Sequence, residues 1–251
     1  MSEMNQTFEA AATLRAQATP RPLKPMPLWQ SLLFFGVPAI TAAVDHHVLW
    51  PWLVSLGLSE ENGWHCAYLI WFVGLFVAAL VAYALEGNPL RWRSFRERYR
   101  LGPLRWREWG WTLGGVLVFA ALAYATNSLA LTIFDRLDFV PPDLAPSGPV
   151  TNITLYLVTL LFNVLSEELW WRGYVLPRQE LTHGKYTWLV HGVLWACFHA
   201  YKWWAVPFML LTTWIVPFIA QRLKNTTPGI VSHLITNGLG ALPIVISLLS
   251  K

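Results

Sequence analysis

The sequence predicts an all-α fold, a polytopic transmembrane bundle of about seven to eight helices around an intramembrane polar cavity, and three observations carry that prediction. First, 55% of the 251 residues are hydrophobic and only 13% are charged, with a mean hydropathy of +0.41, against about 25% charged in soluble domains. Second, apolar runs recur that are long enough to cross about 30 Å of hydrocarbon at 1.5 Å per helical residue. Third, one run ends in Ser166-Glu167-Glu168-Leu169-Trp170-Trp171-Arg172-Gly173-Tyr174, which sets three charges into lipid-compatible surroundings. A charge near the bilayer centre costs roughly 2.5–3.5 kcal/mol, so such groups persist there by pairing, by facing water or by doing chemistry.

Residues 1–24 are polar and weakly basic and read as a disordered cytoplasmic tail without a secretory cleavage site. Residues 25–149 hold the N-terminal spans. Pro25–Val44 is the first, closed by Asp45-His46-His47, which read as a solvated helix end. Val48–Leu58, with Pro51 inside it, either extends that span or lies in the interface. Trp64–Leu85 carries no charge. The loop 86–108 follows with Arg91, Arg93, Arg96, Arg98, Arg100, Arg105 and Arg107, and the positive-inside rule makes it cytoplasmic. Its interleaved aromatics fit a segment lying on an anionic leaflet, with a solvated charge run as the ordinary alternative. Trp109–Phe134 is the next span, and the acidic, proline-bearing loop Asp135–Pro149 fits the opposite face.

Residues 150–251 form the polar-bearing core, with spans at Val150–Pro177, Tyr186–Tyr201, Trp203–Gln221 and Pro228–Leu249. Thr226, Thr227 and Pro228 suit the start of the last helix, and Asn237-Gly238-Leu239-Gly240 reads as small residues permitting close helix contact. With seven spans, every basic loop and the N-terminus fall on one side. Many of the sixteen tryptophans, Trp52, Trp106 and Trp203 among them, lie near the ends of apolar runs and fit interfacial belts. The net charge of +4 comes largely from one loop, so it reads as a topology signal rather than a nucleic-acid patch, and no nucleic-acid partner is expected. Cys66 and Cys197 have no metal or redox spacing and read as small hydrophobes.

The spacing of the intramembrane polar groups is informative. On an α-helix Glu168 and Arg172 stand one turn apart and form an i,i+4 pair. Glu167 is left over, about 100° around the helix. His191, Trp195 and His199 recur at four-residue steps on one face, and His233 and Asn237 are again four apart. A lone intramembrane histidine is usually a packing residue, and a His/Asn pair usually glues helices; three helices each carrying such groups favour a shared site. A fixed carboxamide beside an imidazole suits a developing oxyanion, and an unpaired carboxylate with a second imidazole suits the activation of water.

In their order along the chain, Glu-Glu-x-x-x-Arg, aromatic-x-x-x-His and His-x-x-x-Asn resemble the motifs of the CPBP family of intramembrane proteases, which includes the type II CAAX prenyl endopeptidases and bacteriocin-processing or immunity proteins. The resemblance covers about the last two-fifths of the chain; Trp195 stands where the family usually has Phe. It implies that Glu167 and His199 activate a water, that His233 and Asn237 hold the oxyanion, and that Glu168, Arg172 and Trp195 support the site. It implies an intramembrane glutamic-type endopeptidase acting on a membrane protein or a prenylated or lipophilic peptide, without cofactor, in the lipid bilayer of an inner (plasma) membrane, bacterial by expectation. Hydrolysis requires water, so a conical cavity open to the cytoplasm is expected. The alternatives are a zinc enzyme using Glu167, His199 and His233, and a non-enzymatic immunity, scaffold or transport protein. A Cys197 nucleophile is disfavoured because its side chain points away from His199. Oligomeric state is not addressed by the sequence.

Overall fold

In the computed structural model the described residues are 21–142 and 152–249, with side chains described to Gly238. Most of the anticipated tail and residues 143–149 of the acidic loop lie outside them. No strand is present among the described residues. The helices are α1, Leu28–Ser55; α2, Glu60–Leu85; α3, Trp92–Arg98; α4, Trp106–Arg136; α5, residues 153–183; α6, Thr187–Phe198; α7, Ile215–Leu223; and α8, Thr227–Leu249. Leu28–Ser55, Glu60–Leu85, Trp106–Arg136 and Ile153–Phe198 are four segments long and apolar enough to cross a membrane. Side chains such as Ile40, Leu85 and Leu117 stand out from the bundle, as a lipid solvent allows.

Val48–Leu58 extends the first span. Helix α1 passes through a π turn, Asp45–Leu49, and continues as Trp50–Ser55. A proline in a helix removes one N–H and crowds the carbonyl four residues back, and the widened turn ends just before Pro51. The same pattern recurs in α5, where the π segment Glu168–Val175 ends just before Leu176 and Pro177. Asp45 and His46 are therefore buried inside a helix rather than solvated at its end. His46 Nδ1 lies 3.0 Å from the Tyr68 hydroxyl.

Two expected spans are not continuous helices. Helix α6 stops at Phe198, and the chain then runs as a 3-10 turn, Ala200–Ala205, and a single helical turn, Val206–Met209, with bends up to Ile215. Pro207 withholds a backbone donor here, and Thr213 donates its hydroxyl to the Gly192 carbonyl at 2.8 Å. Irregular backbone at membrane depth is tolerated where it is packed in protein or lines a wet cavity. Gly192 permits the approach, since a Cβ there would sit 2.8 Å from the Trp214 Cα. Gly238, by contrast, faces open space among the described residues.

The basic segments gather at one end of the bundle. Arg21 donates its backbone N–H to Asn88 Oδ1 at 2.7 Å, and Arg178 Nε donates to the Lys24 carbonyl at 3.1 Å. Arg98 clamps both carboxylate oxygens of Glu86 at 2.6 and 2.7 Å and donates to the Gly173 carbonyl at 3.1 Å. Arg100 makes a two-point pair with Glu180 at 2.9 and 3.0 Å. Thr226 ties the start of α8 to this end through the carbonyls of Tyr99 and Arg100. The buried core lies between α1, α2, α5 and α6, where Phe35 stacks on Trp171 at 4.3 Å between ring centroids.

Candidate active site

Glu167 closes the first stretch of α5 and begins the change from α to π winding. Counting from Ile153, it lies about 21 Å along the helix, near mid-bundle. The carboxylate is buried. Asn163, one turn earlier, donates its amide to Glu167 Oε1 at 3.2 Å, while Oε2 has no partner among the described residues. Asn163 in turn accepts an N–H from Asn237 at 2.7 Å. A carboxamide on α5 thus links the carboxylate to α8. Asn163 was not singled out in the sequence, although an asparagine one turn before a glutamate in an apolar run is a readable signal.

Glu168 turns the other way. Arg172 Nη1 lies 3.3 Å from Glu168 Oε1, both side chains almost wholly buried. The atoms are close but not aligned as a hydrogen bond, so the attraction is mainly Coulombic. The same oxygen accepts the His233 Nδ1–H at 3.1 Å. Glu168 therefore holds two helices together. Its second oxygen presses against Gly229, where a Cβ would collide with it. Trp195 spans the gap, with its ring 5.2 Å from the Arg172 guanidinium carbon and 4.5 Å from the His199 ring.

His199 ends α6, and its Nδ1 lies 2.9 Å from the Trp195 carbonyl. A carbonyl only accepts, so Nδ1 carries the hydrogen and Nε2 keeps its lone pair in the neutral ring. His191, two turns earlier, is not at the site. It is fully buried against Phe35 and bonds Gln179 Oε1 at 2.7 Å.

Glu167, Trp195, His199, His233 and Asn237 all line one cavity of about 630 Å³. Beyond them its walls are Asp45 and Ala42 of α1, Trp64, His65 and Tyr68 of α2, Tyr156 and Thr159 of α5, and Tyr201, Lys202 and Met209 of the irregular segment. These outer residues sit at the helix ends remote from loop 86–108. The cavity therefore opens at the end opposite loop 86–108. The expectation of an opening on the same face as the basic loop is overturned, because α6 ends at half-depth and the 199–214 segment parts the bundle on the other side. Among the described residues no group of three or more His, Cys, Asp or Glu side chains is placed to hold an ion. Cys197 faces outward.

The described bundle thus brings a carboxylate, two imidazoles and a carboxamide around one polar cavity. Residues 149–239 match the family model described as type II CAAX prenyl endopeptidase Rce1-like, which bears out the resemblance carried by the three motifs. The match suggests a membrane endopeptidase of the CAAX-protease type, with a membrane-associated peptide as substrate. No curated protein and no solved structure matches the chain.

Proposed function

We propose that the protein hydrolyses a peptide bond of a membrane-associated or lipophilic peptide using a water activated by Glu167 and His199, without metal or covalent intermediate. The carrying observation is the unpartnered Glu167 Oε2 in a cavity that also holds both imidazoles and Asn237. Asn163 fixes one carboxylate oxygen, which leaves the other to take a proton from water. His199, locked through Nδ1, orients the same water with Nε2. Asn237 spends one amide hydrogen on Asn163 and keeps the other for the carbonyl oxygen of the substrate. His233, held at Nδ1 by the Glu168 carboxylate, faces the same cavity beside Asn237. Glu168, Arg172 and Trp195 position these groups.

The test is terminal-peptide mass spectrometry on membranes from cells expressing wild type or Glu167→Gln, with the purified pair assayed on the peptides found. New chain ends present with wild type and lost in the variant are expected. Cleavage at an undiminished rate by a folded Glu167→Gln protein rejects Glu167 as the base, and a cleavage-dead variant that still complements a deletion favours an immunity or scaffold role.

A further inference from the structure

We infer that the arginine-bearing end of the bundle holds a site for one anionic phospholipid, apart from the candidate active site. A groove of about 660 Å³ runs between α4 and α7 with Trp111, Trp214 and Phe218 as walls and Gly110 and Gly114 along its floor. It reaches from Trp106 to Val118, twelve residues or about 18 Å of helix, close to the roughly 15 Å depth of one leaflet of a 30 Å hydrocarbon core. That is the length of a single acyl tail. A Cβ at Gly110 or Gly114 would meet nothing within 4 Å, so no neighbouring helix requires a glycine at either position. What their missing side chains leave is the groove.

The head of the groove carries the charge a phosphate needs. It opens into a hollow of about 680 Å³ that shares Arg107 and Trp111 with it and adds Arg105 and Arg222. Glu108 is the one acid lining it, against three arginines, and its Oε2 accepts the Arg105 backbone N–H at 2.9 Å. Neither Arg107 nor Arg222 has an ion-pair partner among the described residues; each rests on an indole, Arg107 on Trp106 at 5.1 Å and Arg222 on Trp111 at 4.7 Å. Stacked guanidiniums keep their N–H edges free for phosphate. A tail-length apolar trough below unpaired arginines fits a phospholipid of that leaflet. A lipidated peptide bound for hydrolysis would enter at the other end of the bundle, where the candidate active site opens. The occupant would also bear on the site from behind, because Gly115 and Ile215 line both the groove and a cavity of about 90 Å³ bounded by Glu168, Arg172 and His233.

Native mass spectrometry of the full chain in mild detergent tests this, with phosphatidylglycerol or phosphatidylcholine of identical acyl chains added. One phosphatidylglycerol per chain is expected at a tenfold or more lower lipid concentration than phosphatidylcholine. The double variant Arg107→Gln/Arg222→Gln loses that preference, and Gly114→Leu, which places a side chain in the empty floor, loses the retained lipid with the arginines intact. Equal retention of the two lipids by wild type overturns the inference whatever the variants do. So does a preference that survives Gly114→Leu, which would reduce the arginines to a diffuse charged surface. Displacement of phosphatidylglycerol by an equimolar farnesylated peptide, unaffected by the arginine variants, would assign the groove to a lipidated peptide instead.

Discussion

At the arginine end, Glu86 and Glu180 each grip a guanidinium through both oxygens, and Thr226 sews α8 to the loop carbonyls. At the other end, α6 gives way at Phe198 to a 3-10 turn and bends, and the chain there is tied by single hydroxyl bonds such as Thr213 to the Gly192 carbonyl. Both ends contain charge, but it is spent differently. In the closed end Glu86 and Glu180 neutralise arginines of other elements; in the open end Glu167 keeps one oxygen uncommitted beside a cavity. The lesson is that the stable half serves as a base against which the other half is held apart.

Breaking the two halves should therefore give unlike results. The largest effect expected is in the open half: Glu167→Gln lowers kcat for peptide hydrolysis by about 10²–10⁴-fold, the range for losing a general base, with an unchanged thermal midpoint. In the closed half, Glu86→Ala strands the buried Arg98 guanidinium and costs about 3–5 kcal/mol of stability; thermal unfolding in detergent reads the loss, and the fraction still folded keeps its turnover. Asn163→Ala removes a hydrogen bond to a charged group, worth about 1.5–3 kcal/mol, so kcat falls about 10–100-fold with KM nearly constant. If KM rises instead, Asn163 binds substrate rather than holding Glu167. Thr213→Val costs about 1 kcal/mol, read as a small drop in midpoint. Chelators should change nothing; activity lost to a chelator and restored by zinc would replace the metal-free mechanism.

Much of this was legible because membrane insertion penalises stray polarity. The Glu168–Arg172 pair and the His233/Asn237 turn follow from four-residue spacing in apolar runs, and spacing survives even where Glu168–Val175 winds as a π-helix. His191 shows the limit of the same argument: it shares the periodicity of His199, yet Gln179 and Phe35 claim it two turns away. The break after Phe198 was not legible, since Trp203–Gln221 is as apolar as a true span and hydropathy does not register backbone irregularity supported by tertiary packing. Asp45 escaped for the converse reason. A polar residue at the end of a hydrophobic run looks solvated unless the next run is recognised as the same helix.

The direction of the opening has a consequence for what can be cut. If the arginine end faces the cytoplasm, as the charge rule has it, the scissile bond is reached from outside the cell membrane's inner surface, and a freshly synthesised chain terminus in the cytosol meets only the sealed end. A peptide approaching from the arginine side would have to cross the bilayer before it met the cavity.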